Sequence, residues 1–492
     1  MKSVRRLSLI AALFCTLLAG GPATSALSPN ERGGAGLAGV GGTFDSGIKI
    51  QNLSSTEATV LPTLYNETYP LSTPLTLDAS VVAPGGSVEY WLPGLSEVPS
   101  GKYSIVVFSD QPIASVATHT NYPVGIADSY NGVGAGATTL YIPYVYRGLN
   151  DWFTDITVQN CDPTTTAHVS LTVRGGGLTF PPYGPVAIEP SQAYTFETSA
   201  AEFSNLGSAF MGSATVTSTE AVDLAGEVNE IRVAGSTHVM TSFRTLTSAD
   251  AGSLMLLPSL YRQFGNLWRS GIQIQNTSDS ATATVDITFR SDPGEVAGGP
   301  WHKTGVTIDP QEAYQFYLPG DPVDEGGTLP DGFKGSATIE ASGAAVSAMV
   351  IHTNYPADVA EGYIGIPPSA ATSHLSAPSL YKNFGAGTYI WRSGIKVQNV
   401  DPSNPVTVTF TFSPDPGNPG GGTLSNVSID PGSAFEMYLP GTALDGAVLL
   451  ADGFKGSAVI EVVGTGAIVG TVIHTNYGRG VANMYGAINY TP

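Results

Sequence analysis

The tetrapeptide His-Thr-Asn-Tyr occurs three times, at His119 to Tyr122, His352 to Tyr355 and His474 to Tyr477, and it is the stretch best suited to chemistry. Imidazole, carboxamide and phenol groups all bind ligands, so His119, Asn121, Tyr122, His352, Asn354, Tyr355, His474, Asn476 and Tyr477 are the first candidates for a site. At the corresponding place, another stretch reads Glu227-Val228-Asn229-Glu230. Zinc wants three or four converging ligands, and no second His or carboxylate stands at a fixed spacing from these histidines. Alternation along the strand puts His474 on the face of Val472 and Ile468, where a neutral, hydrogen-bonded imidazole is expected. The motif is therefore predicted to be structural, with no metal and no other cofactor.

Trp152, Trp268 and Trp391 also recur at one position and could form stacking platforms for sugars. An aromatic residue just before a strand can equally cap a core or line a domain junction. Asp292-Pro293-Gly294, Asp331-Gly332, Asp415-Pro416-Gly417 and Asp452-Gly453 invite a calcium reading. No loop carries the dense alternating acids that calcium requires, and such pairs are ordinary turn formers. Neither Gly-x-Ser-x-Gly nor His-Glu-x-x-His occurs, and the scattered acids define no glycosidase-like pair. No catalytic residue is assigned, and the chain is not expected to be an enzyme.

The elements that would position these residues repeat too. Trp391-Arg392-Ser393-Gly394-Ile395-Lys396-Val397-Gln398-Asn399 has copies at Trp268 to Asn276, Trp152 to Asn160 and Phe44 to Asn52. Their glutamines fall at 51, 159, 275 and 398, a period of about 110 to 120 residues, right for one small sandwich per repeat. Ile-x-Ile alternation predicts a half-buried strand in each copy. Phe333 to Ile339 returns as Phe454 to Ile460 and Phe210 to Val216, and Val346 to Ile351 is apolar on both faces, a buried strand. Pro143, Pro258 and Pro378 mark the apolar pieces ending in Tyr144, Tyr261 and Tyr381 as edge strands. The first repeat has only a glycine-rich leader there, so its edge is predicted to be open to a second chain or filled by Leu37 to Val40.

Lys2, Arg5 and Arg6 precede an apolar run from Leu7 to Leu18 and small residues at Ala23-Thr24-Ser25-Ala26, the pattern of a secretory signal over 1–26. Cleavage there removes three of 20 basic residues and none of 40 acidic ones, moving the charge from −20 to about −23. Such a balance argues against nucleic acid, whose phosphates need clustered Lys and Arg, and against anionic lipid. No later stretch is long enough for a membrane span. Cys161 would be the one cysteine left, and Thr277, Val400 and Leu53 replace it elsewhere, so it reads as a tolerated small residue.

With 59 Gly, 35 Pro and no sustained helical period, the strands and turns predict an all-β chain of four tandem sandwiches over 27–135, 136–250, 251–372 and 373–492. From about Thr43 onward, strand rhythm and repeat length resemble the immunoglobulin-like sandwich repeats of bacterial secreted and cell-surface proteins, without the cysteine pair of true immunoglobulin domains. That resemblance implies a secreted structural or adhesive protein of the cell exterior, a string of sandwiches acting as spacer or assembly module through self-association or an envelope partner. The second expectation is an extracellular polysaccharide-binding protein that uses Trp152, Trp268 and Trp391 at the domain ends.

Overall fold

The computed structural model describes residues 13–19, 43–66, 73–235, 237–265, 267–476, 478 and 480–491. Among them the chain is nearly all β, in several antiparallel sheets, with helix limited to short 3-10 turns. Most of the segment expected to be a signal, and the Leu37 to Val40 piece, lie outside the described residues.

The third repeat shows the plan. Its leading strand Leu254–Phe264 turns into the inner strand Trp268–Asn276. The leading strand pairs with Phe333–Ser342, which pairs with Ala283–Ser291 and then Trp301–Ile308. The inner strand is flanked by Ala313–Tyr317 and the histidine strand Val346–Asn354, whose other neighbour is the axial strand Val359–Ile364. Alternate residues of the two halves, among them Met255, Leu257, Ile272, Ile274, Ile339 and Val350, enclose one core. The same pairings recur in the other repeats.

The Gln-Asn close of each inner strand has a local cause. Asn276 Nδ2 donates to the Ala281 and Ile308 carbonyls at 2.7 and 2.9 Å, and Asn52, Asn160 and Asn399 each span the same two loops. Gly335 is fixed by strand proximity, because a Cβ there would sit 2.0 Å from the Arg290 carbonyl oxygen.

The structure corrects three expectations. The prolines of the leading strands sit at bulges, where the register shifts between Leu257 and Leu260 and between Ala377 and Leu380. The far side of these strands is partly covered, by Ile488–Tyr490 in the fourth repeat and by a bridge from Leu256 to Ile366 in the third. In the full chain the leading position of the first repeat, beside Gly101–Ser109, is held by Leu13–Ala19, part of the segment expected to be cleaved, so the edge is filled only while that segment stays attached.

Second, the inner strands are buried on both faces rather than one: Gln273 and Gln275 are as buried as Ile272 and Ile274. Their polar face lies on the preceding repeat, where Gln275 Nε2 reaches the Ala214 carbonyl at 3.2 Å.

Third, the repeats do not run out as a string. The fourth meets the third through Lys396, 2.7 Å from Asp292, and the second meets the first through Lys102 and Thr195. The first meets the fourth, because Asp415 pairs with Lys49 and accepts from Ser87 Oγ at 2.7 Å. Axial strands Ile126–Asn131, Thr237–Arg244, Val359–Ile364 and Val481–Gly486 gather at the centre, each touching the next and the last touching the first. The four repeats close a ring.

Ile156, Ile272 and Ile395 are fully buried. Ile272→Ala is expected to lower unfolding free energy by about 2–5 kcal/mol, read from urea titration. Asp415→Ala leaves Lys49, only 3% exposed, without its carboxylate. It should cost about 3–5 kcal/mol and enlarge the radius of gyration in X-ray scattering above the roughly 23 Å expected of a compact chain of this length.

Candidate functional site

Three of the four junctions gather the same aromatic pair. The tyrosine ending a leading strand meets the aromatic opening the inner strand: Tyr146 and Trp152 at 6.0 Å, Tyr261 and Trp268 at 6.3 Å, Tyr381 and Trp391 at 6.2 Å between centroids. Beneath them lies the histidine strand, with Tyr261 to His352 at 4.8 Å and Tyr381 to His474 at 5.0 Å. The hydroxyl of Trp-Arg-Ser is backbone support: Ser270 Oγ accepts from the Tyr261 N–H at 2.7 Å, as Thr154 and Ser393 do from Tyr146 and Tyr381.

Strand register revises the alignment of the histidine motif. His352 stands opposite Ser270 and His474 opposite Ser393, whereas Thr154 faces Glu230. Glu230-Ile231-Arg232-Val233, three residues later than the sequence suggested, is therefore the counterpart of His-Thr-Asn-Tyr. Its carboxyl keeps the same contact, accepting from Thr154 Oγ1 at 2.7 Å.

Ser270 Oγ lies 2.7 Å from His352 Nδ1, a separation compatible with a nucleophile and its base. Both residues are fully buried, and burial, helped by Lys396, pulls the His352 pKa down to about 3. His474 is lowered to about 4 by burial, and its Nε2 is 2.9 Å from the Ser379 carbonyl. The pair therefore supports a core. His119 is also buried, with Nδ1 3.5 Å from Glu227 and its ring against Tyr130. Asn121, Asn354 and Asn476 are buried, Tyr122 and Tyr355 are half-buried, and Tyr477 lies outside the described residues.

Among the described residues, no three His, Cys, Asp or Glu side chains converge as metal ligands would. Asp292 and Asp415 of the Asp-Pro-Gly turns are engaged by Lys396 and Lys49 across junctions. Cys161 rests against Val106, Val133 and Ala225, and burial pushes its thiol pKa up, away from nucleophilic character.

Trp152 and Trp391 line two inter-repeat cavities rather than free ends, whereas Trp268 packs beside Tyr261 and lines neither of the two. Between the second and third repeats, a cavity of about 390 Å³ is lined by Tyr146, Trp152, Arg232, Gln315, Tyr317 and Tyr355. Between the fourth and first, a cavity of about 70 Å³ is lined by Lys49, Glu89, Trp91, Tyr381, Trp391 and His474. Trp152 is only 5% exposed, so it forms a wall, while Tyr317 and Tyr355 are more open. Sequence reasoning found the tryptophans but missed Lys49, Lys396, Lys334 and Lys455 and their acids. The signal was a lysine between the two core residues of the inner strand in two of its four copies.

The depressed histidine pKa sets a pH dependence. The folded protein keeps His352 neutral until about pH 3, whereas an unfolded chain takes up the proton near 6.5. Its stability contribution is present above 6.5 and is lost as pH falls toward 3. His352→Gln should lower the melting temperature at pH 7, and the gap to the wild type should narrow by pH 4.5. Metal content should be unchanged by the substitution.

No family model matches the chain, and no curated protein does. Among solved structures, a biofilm-associated protein BSP domain is similar at 8% identity over all of both chains, with a TM-score of 0.15. In this chain no helix among the described residues is long and apolar enough to cross a membrane.

Proposed function

We propose that the chain is a secreted structural or adhesive protein of the cell exterior, acting as a rigid assembly module without catalytic activity. Its four repeats form immunoglobulin-like sandwich domains closed into a ring. The observation that carries this is where the strongest polar groups are spent. Lys396 with Asp292, Lys334 with Glu436, Lys455 with Glu89 and Lys49 with Asp415 all join one repeat to the next. The non-catalytic part is supported by the burial of Ser270 with His352, and of Ser393 with His474, away from any substrate. The exterior part rests on the apolar run after Lys2, Arg5 and Arg6, and on sparse charge of acidic balance.

A cell-fractionation experiment tests it. The native protein should appear in the medium or on the outer surface, accessible to added protease or antibody, with its N-terminus near residue 27. Retention inside the cell with an intact N-terminus would sink the proposal.

A further inference from the structure

Junctions built on one plan differ in a way that points to a ligand. Lys334 and Lys455 occupy the position that Met211 holds in the second repeat, and Lys102 holds it in the first. Facing it from the following repeat stand Glu436, Glu89 and Thr195, but Gln315 where Met211 is. The central inner-strand position is Lys396, Lys49 or Thr157, but Gln273 in the third repeat. Only the junction of the second and third repeats has Met, Gln and Gln. Where Lys49 and Glu89 fill the cleft, about 70 Å³ remains; where Met211 and Gln315 stand, about 390 Å³ is open.

We propose that this second-to-third cleft binds a neutral pyranose residue of an extracellular polysaccharide. The volume falls in the range of small-ligand pockets. Its lining is aromatic: Tyr144 and Tyr146, stacked at 5.4 Å with an interplanar angle of 24°, are buried in the wall, and the half-buried Tyr317 and Tyr355 offer the more open faces. Such faces accept the apolar C–H side of a sugar ring. Its polar groups are a carboxamide, Gln315, and a guanidinium, Arg232, which lies 5.1 Å over the Tyr355 ring and donates from Nε to the Asn150 carbonyl at 3.1 Å. Planar donors and acceptors of this kind exchange hydrogen bonds with hydroxyls. The cleft has no lysine, its one cation is held against an aromatic ring, and the chain is strongly acidic, so an anionic glycan is disfavoured. Gly271 closes the back, since a Cβ there would come 3.0 Å from the Tyr144 hydroxyl.

This inference rests on the exterior reading for its choice of probe, but its test does not depend on where the protein resides. The purified full chain is titrated with soluble dextran, laminarin, mannan and galactan, with alginate as the charged comparator, by calorimetry and tryptophan fluorescence. At least one neutral glycan should bind, and Tyr355→Ala and Gln315→Ala should each weaken it by about tenfold or more. Tyr438→Ala at the third-to-fourth junction should leave binding unchanged. The double change Met211→Lys with Gln315→Glu rebuilds the pair found at the third-to-fourth and fourth-to-first junctions, and should abolish binding while the melting temperature is kept. Binding to none of the neutral glycans, binding to alginate alone, or binding that survives the rebuilt pair would each overturn the proposal.

Discussion

Everything in this molecule follows from the burial of the inner strands on both faces. One face, with Ile48, Ile156, Ile272 or Ile395, faces its own core and needs only apolar neighbours. The other carries Lys49, Thr157, Gln273 or Lys396, and a polar face can be buried only where the covering surface supplies partners. The preceding repeat supplies them: the Gly335 carbonyl and Asp292 for Lys396, and Asp415 for Lys49. Burial pulls the Lys49 pKa down, while Asp415 and Glu89 pull it up. A buried ammonium of this kind fixes geometry more than it adds stability, because a shifted neighbour would leave it unpaired. The polar inner face thus docks each repeat on the one before it, and the docking of the first on the fourth closes the circle.

The part of this legible in sequence is what repeats locally. Ile-x-Ile, Gln-Asn and Phe-Lys-Gly each act within their own repeat, through core alternation, the loop-spanning Asn276 and the tight approach at Gly335. Closure was not legible. Lys49 and Asp415 are 366 residues apart, and nothing in period-2 alternation distinguishes a polar face covered by another repeat from one facing water. In the Asp-Pro-Gly turns the sequence shows turn chemistry but not the ion pair, because a carboxylate's second role depends on a lysine from another repeat. Register shifts two alignments: Glu230 rather than Glu227 is the counterpart of the motif's histidine, and Tyr146 rather than Tyr144 is the counterpart of Tyr261 and Tyr381. Register shows that the buried position under Tyr146 is what must be filled, and Glu230 fills it.

That position explains why the histidines look chemical and act structurally. It lies behind an aromatic pair, next to a hydroxyl that already accepts a backbone N–H. The occupant must be polar enough to meet the hydroxyl and uncharged enough to stay buried. Histidine meets both demands at neutral pH, as its lowered pKa shows. Glutamate does so by keeping its proton, and burial pushes the Glu230 pKa well up. Two residue types with opposite charged forms are thus interchangeable here because both are neutral.

The junctions also differ in a way that topology demands. Three neighbouring pairs are joined by the chain, so their contacts form with short loop closure, whereas the first and fourth repeats must find each other across the whole length. The seam between them is accordingly laced with specific contacts. Besides the Lys49 and Lys455 pairs, Ser376 donates to Gln51 and Ser457 reaches the Gly85 carbonyl at 3.1 Å. At the axis, Asn131 imitates a strand neighbour: its Nδ2 donates to the Gly486 carbonyl at 2.7 Å and its Oδ1 accepts from the Gly486 N–H at 3.0 Å. The junction of the second and third repeats is held instead by bonds to backbone, Gln275 Nε2 to the Ala214 carbonyl at 3.2 Å and Ser213 Oγ to the Gln311 carbonyl at 2.8 Å. Met211, Gln273 and Gln315 stand there in place of the lysines and acids of the third-to-fourth junction and the seam, and a cavity lined by Tyr146 and Tyr355 is left for something other than the protein itself.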